Sequence, residues 1–483
     1  MKALKHTGRS AKKALCIVLA LAMTAAISAC AASSTISGAG TFTEKLSSCL
    51  PFAQKNVTHV IVCGNGVNLR DAAGTSDTNV VGKLNAGDTF KLVGEEKDAS
   101  GHVWYAVEYK QSAEDEEPSV GWVTSQFSVK YDDDTDAQKC VDMFSDYFGA
   151  AGVQIATIKN GALADTYVFG DAVIGKTPMS DDTKIRVASL SKVLIAMDAM
   201  AMREDGDVDL DADISEYWGK EIPKPVTLRS LLTHTSTLQN IALSTNEDTL
   251  ARITDPSWYD NGNVGDGTIW MYNNYGVGVA GSTLELASGG TVEDFSQSRF
   301  FKPLGIEASL IAGNLDSSKL SGLYNPSAHG HTSARTVFEQ ERIKAAEGLG
   351  NNTAFFPGGL TISASDYAKL IAVLANDGTL DGVQYLKPES VALIEERQFT
   401  TDENGGSFEQ CIPLRYVTGV YGQEELYYHT GNAYGTLAMA SYNPKTHNGV
   451  VVVTTGAEAV RDQNGVYAIC SFITDRLYAQ LDK

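Results

Sequence analysis

Positive charge is in short supply in this sequence. Thirty-eight lysines and arginines face 59 aspartates and glutamates, a net charge of −21. Such a surface repels nucleic acid and anionic lipid headgroups, so neither is expected as a partner. The polar bias of a disordered chain is also missing. Hydrophobic residues make up 43% and aromatics 8%, enough to bury a large core. Cysteine is sparse, and none of the seven is spaced like a zinc ligand set. The acidic runs Glu114-Asp115-Glu116-Glu117 and Asp132-Asp133-Asp134 read as solvated loops rather than sites. At 483 residues the chain exceeds one compact domain and suits two or three.

The first 29 residues stand apart. Lys2, Lys5, Arg9, Lys12 and Lys13 precede an apolar run from Ala14 to Ile27, too short for a comfortable membrane span. This is the pattern of a secretory leader. Ile27-Ser28-Ala29-Cys30 resembles the bacterial lipobox, which implies lipidation of Cys30 and an extracytoplasmic protein anchored to the cell membrane. Removing the leader's five basic residues from 38 leaves 33 against 59 acids, a net charge of −26. Five further cysteines remain: Cys49, Cys63, Cys140, Cys411 and Cys470. The compartment permits disulfides. A Cys49–Cys63 bridge is compatible with their positions, Cys140 and Cys470 fall on predicted first and last helices, and an odd count leaves one thiol free.

Residues 30–56 are rich in Ala, Ser, Thr and Gly and form a tether; a coil of that length reaches roughly 25 Å. From 57 to 130 short apolar segments alternate with turn signals at Gly74, Gly82, Ala86-Gly87-Asp88 and Ser100-Gly101, the signature of a small β-barrel. Residues 136–483 then read as one α+β domain. A helix is predicted over Ala137 to Phe148, capped by the preceding acids. A strand over Val153 to Lys159 is followed by the hairpin signal Asn160-Gly161 and a second strand to Phe169. The run Gly449 to Thr455 is a central strand, and a last helix covers Tyr467 to Leu481. The two chain ends are expected to meet in one sheet.

Three segments carry chemistry. In Ser189-Leu190-Ser191-Lys192 the hydroxyl lies at a helix start and the amine one turn later on the same face. A helix N-terminus stabilises developing negative charge, and a desolvated lysine can accept the hydroxyl proton. In Tyr272-Asn273-Asn274 a phenol stands two residues from an amide able to hold a substrate. In His429-Thr430-Gly431-Asn432 a glycine on a strand lets substrate approach the backbone, and the Asn432 N–H can pair with that of Ser189 as an oxyanion hole. Rival copies carry less weight. Ser10 to Lys13 lies in the leader, and Tyr259-Asp260-Asn261 lacks the apolar run that follows Tyr272. The glycine pattern Gly276 to Gly281 lacks the strand a dinucleotide site needs. His234 is expected to be structural, and His329-Gly330-His331 a loop without partner ligands.

The ordered set SLSK, YNN and HTG resembles the motifs of penicillin-recognising serine hydrolases, above all class C β-lactamases and D-alanyl-D-alanine carboxypeptidases. Val226 to Ser236 (VTLRSLLTHTS), Phe301 to Gly305 (FKPLG) and Pro357 to Leu360 (PGGL) fit the same resemblance, which spans about 136 to 483. Separately, VNLR, AGDTFKLV, WYAVEY and GWV in residues 57–130 resemble the bacterial SH3-type domain, a module that binds wall peptide or serves as a spacer. The resemblance implies an antiparallel sheet flanked by helices plus a helical subdomain. Ser189 would be acylated, with Lys192 and Tyr272 handling its proton. Asn274 would hold the acylamide, His429, Thr430 and Gly431 would line the carboxylate side, and no cofactor or metal is implied. Two positions depart from the pattern. His429 replaces the usual lysine, so carboxylate recognition should weaken as pH rises past neutrality. Thr237 stands where glycine is common. The expected activity is acyl transfer to water from D-amino-acid peptides of peptidoglycan type. Esterase or β-lactamase action is the alternative within the family, and an inactive wall-binding lipoprotein the alternative outside it.

Overall fold

The computed structural model describes residues 57–111, 116–242, 245–265 and 270–483. The leader, Cys30, Cys49 and the whole of the 30–56 tether lie outside the described residues.

Seven short strands build the first module: β1 (Thr58–Val62), β2 (Val67–Arg70), β3 (Val80–Leu84), β4 (Thr89–Lys97), β5 (Val103–Tyr109), β6 (Ser119–Thr124) and β7 (Ser128–Asp132). They pair in the order β3-β2-β6-β5-β4-β1-β7. Val60, Val62, Leu69, Val107 and Val123 alternate inward and form its core. Gly121 is required there, because a Cβ would stand 2.7 Å from Leu69 Cδ1. The module is not a free bead on a tether. Ile61, Cys63, Ala86 and Tyr131 share one buried cluster with Phe144, Phe148, Val466 and Phe472 of the larger domain.

The larger domain opens with helix α1 (Ala137–Tyr147), whose cap Asp136 accepts from Lys139 N at 2.9 Å, as the acids before it predict. Strands β8 (Gly152–Lys159) and β9 (Ala162–Val173) form the expected hairpin, with Asn160 and Gly161 both at positive φ (50° and 80°). After β10 (Thr177–Pro178) the chain builds helices α2 (Ser191–Asp205), α3 (Asn274–Ser288) and α4 (Ala364–Ala375). It returns through β11 (Phe399–Glu403), β12 (Gly406–Gln410), β13 (Arg415–Val417), β14 (Leu426–Ala433), β15 (Thr436–Tyr442) and β16 (Gly449–Thr455), and ends on α5 (Ala468–Leu481).

The nine strands order as β10-β9-β8-β16-β15-β14-β13-β12-β11, so both ends of the domain do meet at β8 and β16. Every residue of β16 is buried because helices cover both faces. On one face Val153, Ile155, Val450 and Val452 pack with Phe144 of α1 and Ile473 of α5. On the other, Ala156, Ala438, Val451 and Val453 join Leu194 of α2, Val279 of α3 and Ile371 of α4. Helices α1 and α5 are neighbours, yet Cys140 and Cys470 are free buried thiols, as are Cys63 and Cys411. The single-free-thiol expectation therefore does not hold among the described cysteines; burial raises these thiols above their ordinary pKa and keeps them unreactive.

Candidate active site

The site assembles where a strained turn enters α2. Ile185 and Arg186 pair with Ile362 and Thr361, and the chain then turns through Ala188, which holds φ at 51° without being glycine. Such a conformation costs roughly 1–3 kcal/mol and persists only when neighbours over-determine it. Here they do. Ser191 Oγ donates to Ala188 O at 2.6 Å and accepts from Leu360 N at 3.0 Å. Tyr367 Oη donates to Leu190 O at 2.9 Å, and Val187 N donates to Leu360 O at 2.9 Å. The turn buries Leu190 and Ser191 and leaves Ser189 half-exposed.

Lys192 lies one turn on, fully buried. Its Nζ is 3.0 Å from Ser189 Oγ, 2.8 Å from Asn274 Oδ1 and 2.8 Å from Pro357 O. No carboxylate is among these partners. Burial first, and then the Arg415 charge, hold the amine well below the ordinary lysine range.

The Tyr272 segment is clamped from the loop that follows Thr233. Met271 N donates to His234 O at 3.1 Å and Asn273 N to His234 Nδ1 at 3.3 Å. Asn240 Oδ1 accepts from the N–H groups of Asn274 (3.1 Å) and Tyr275 (3.3 Å), while Asn273 Oδ1 caps α3 by accepting from Gly276 N at 2.9 Å. His234 thus acts on the fold, and its ring lies 4.6 Å from that of Tyr272. Thr237 keeps the left-handed backbone (φ 58°) that glycine would adopt freely, so the departure from the family pattern leaves the turn conformation in place. The Tyr272 phenol interacts with Ser189, and its ring centroid is 4.9 Å from Lys192 Nζ. Burial pushes its phenol up to about 12, so it stays protonated at neutral pH.

Strand β14 closes the site. Strand β13 pairs with β14 only through Tyr428, which leaves the edge from His429 onward free to face the Ser189 turn. Gly431 is the closest approach: a Cβ there would lie 2.6 Å from Val187 O and 3.4 Å from Ser189 N. Asn432 follows, exposed, with its amide Nδ2 donating to Tyr467 Oη at 2.5 Å. Thr430 is half-buried between them and His429.

His429 differs from expectation. Its Nδ1 is 2.8 Å from Thr430 O, so Nδ1 carries the proton and Nε2 is a buried lone pair with no partner. Burial, then Arg415, then Lys192 hold the ring well below the ordinary histidine pKa. That favours a neutral ring, which runs against the expected histidine charge near pH 7. The fixed cation nearby is Arg415, which the sequence reading did not single out. It is buried, paired with Glu403 at 2.5 Å, and its Cζ lies 4.3 Å from the Phe408 ring and 5.9 Å from that of Tyr272. Trp270 completes an aromatic wall, 5.8 Å from Phe408 and 6.2 Å from His234. His331, by contrast, lies away from these groups with Nε2 2.7 Å from Gly149 O.

The arrangement offers a partly exposed hydroxyl, an amine whose charge is disfavoured by burial, a protonated phenol, and an open strand edge opposite. Comparison with known proteins agrees. Residues 138–469 match the beta-lactamase family, and residues 65–128 match the bacterial SH3 domain. The chain is 28% identical over 249 residues to lovastatin esterase from Penicillium rubens, covering 45% of this chain and 60% of that protein. It is 27% identical over 172 residues to penicillin-binding protein 4* of Bacillus subtilis, covering 32% of this chain and 37% of the other. The chain thus spans about 60% or less of these two relatives' lengths. D-amino acid amidase from Ochrobactrum anthropi SV3 superimposes with a TM-score of 0.58 at 21% identity, covering 72% of this chain and 97% of that one. The chain belongs to the beta-lactamase family of serine hydrolases and carries a bacterial SH3 domain ahead of it.

Proposed function

We propose that this protein is a membrane-anchored, extracytoplasmic hydrolase that forms an acyl-enzyme at Ser189 and acts on D-amino-acid peptides of peptidoglycan type or related amides. The observation that carries the reading is the surroundings of Lys192. Asn274 Oδ1 and Pro357 O can only accept, so each takes an N–H of the amine. The third direction meets Ser189 Oγ at 3.0 Å, and once burial has stripped the third proton that direction is a lone pair aimed at the hydroxyl. Lys192 accepts the hydroxyl proton as Ser189 attacks. Tyr272, protonated and next to Ser189, relays a proton toward the leaving group. The N–H groups of Ser189 and Asn432 hold the developing oxyanion beside the close approach at Gly431. Asn274 keeps its Nδ2 for the substrate's acylamide. His429, Thr430 and Gly431 line the far end of the edge, on the carboxylate side of the leaving group, with the Glu403-paired Arg415 buried behind them.

Ester cleavage is the second reading. It is favoured by the neutral His429 and by the similarity to an esterase. The SH3 domain is proposed to dock on wall peptide, and Cys30 to carry the lipid. Turnover of D-Ala-D-Ala peptides, β-lactams and short esters, measured side by side, tests the substrate class. Peptide turnover well above ester turnover supports the first reading, and the reverse order the second. Inertness toward all three, with retained wall binding, would support the inactive lipoprotein instead.

A further inference from the structure

Beyond Asn432 the open edge of β14 runs into a turn that carries Tyr434, with an exposed ring and φ of 53°. The turn is pinned in place by the hairpin of strands Leu323–Ser327 and Gly330–Arg335, which packs so closely that a Cβ at Gly435 would lie 1.7 Å from Tyr324 O. Two guanidinium groups converge on the Tyr434 ring. Arg186 Cζ is 4.6 Å from its centroid and Arg335 Cζ 4.3 Å. The two charges are therefore within about 9 Å of each other.

Their partners are unusual for this chain. Arg186 Nε donates to Gly358 O at 2.5 Å, and its guanidinium otherwise faces the Tyr434 ring. Among the described residues neither arginine has a carboxylate within ion-pairing distance, although acids outnumber bases by 59 to 38 over the chain. Glu339 is close enough to feel the Arg335 charge, but its Oε2 is already taken by Thr336 N at 2.7 Å and Thr336 Oγ1 at 2.8 Å. Arg186 is three residues before Ser189 and Tyr434 two after Asn432, so this cationic pair belongs to the rim of the site. It stands at the opposite end of the edge from His429. Five residues of extended chain separate His429 from Tyr434, roughly 16 Å.

We propose that Arg186 and Arg335, held together by Tyr434, form an anion subsite for the acyl side of the substrate. The preferred acyl donor carries a carboxylate several bonds from the scissile carbonyl, in addition to whatever the leaving group carries. Among the described residues Arg335 makes no ion pair and Arg186 spends only its Nε on Gly358 O, so N–H groups of both guanidiniums remain for a carboxylate.

This inference rests on the acyl-enzyme reading of Ser189, and the test separates the two. Two esters with the same leaving group are compared, one with an acyl chain ending in a carboxylate and one ending in the isosteric primary amide. The wild-type protein should favour the carboxylate in kcat/KM by roughly tenfold, and Arg335→Gln should bring the ratio close to one. A merely structural role for Arg335 would lower both rates together and leave the ratio unchanged, which overturns the subsite. Binding of the same two esters to Ser189→Ala, by calorimetry, needs no turnover. A carboxylate preference there that Arg335→Gln abolishes supports the subsite even if the wild type turns over neither ester, a result that would count against the acyl-enzyme reading alone. Equal binding of both esters overturns the subsite.

Discussion

Lys192 Nζ lies 2.8 Å from the carbonyl oxygen of Pro357, a residue 165 positions further along the chain. That contact fixes the direction of the amine. With Asn274 Oδ1 on a second side, the remaining direction points at Ser189. Removing the amine should therefore remove the base and leave the nucleophile in place. Lys192→Ala is expected to lower kcat/KM by about 10²–10⁴-fold while circular dichroism stays native. Activity within threefold of wild type would reassign the base.

The same burial makes Lys192 a cost to the fold. Its folded pKa is depressed, and the unfolded side chain titrates near 10.4. Between those values the unfolded state binds more protons, so stability rises with pH. Lys192→Met is expected to melt at higher temperature than wild type at pH 7, with the gain shrinking as pH approaches 10. Above that, Tyr272 acts in the opposite direction, because it keeps its proton in the fold up to about 12 and stability falls as pH climbs through that window. Thermal melts across pH 6 to 10 check the first part; a gain that does not vary with pH would contradict it.

Gly431 tests the closeness of β14 to the Ser189 turn. A methyl there must displace Val187 O or the strand itself. Gly431→Ala is expected to reduce acylation by about 10²–10³-fold through a misplaced oxyanion hole, and to destabilise the domain by about 1–3 kcal/mol. Burst kinetics and denaturant melts separate the two effects.

The SH3 module should not behave as an independent domain. Ile61 is buried against the larger domain's helices, and Asn65 Nδ2 donates to Arg461 O at 2.9 Å. Arg461 in turn donates to Tyr467 Oη at 2.7 Å, the same oxygen that receives Asn432 Nδ2. Ile61→Ala is expected to cost about 2–4 kcal/mol and to shift one shared calorimetric transition. Two separate transitions, with only the smaller one moved, would show that the modules unfold apart.

Much of this was legible in the sequence because it is local. Asn160-Gly161 announces its hairpin, Gly449 to Thr455 its buried strand, and the three-residue spacing of Ser189 and Lys192 their meeting one turn apart. Arg415 was not legible. It sits between Leu414 and Tyr416 in a three-residue strand with no motif around it, and it reaches the site only through sheet pairing with Tyr428. The neutrality of His429 was hidden for the same reason, since it follows from burial and from cations that arrive from other segments. The packing of the SH3 module was equally silent, because Ile61, Cys63 and Ala86 read as ordinary β-strand and turn residues until Phe472 is brought beside them.

Intact-mass spectrometry of residues 31–483 after brief exposure to a D-Ala-D-Ala peptide, a β-lactam and an activated ester addresses the covalent step itself. The account predicts an acyl adduct with at least one of them, mapped by peptide digestion to Ser189, absent from Ser189→Ala and slow to form in Lys192→Ala. An adduct of equal yield in Ser189→Ala, or one mapped to another residue, would contradict it.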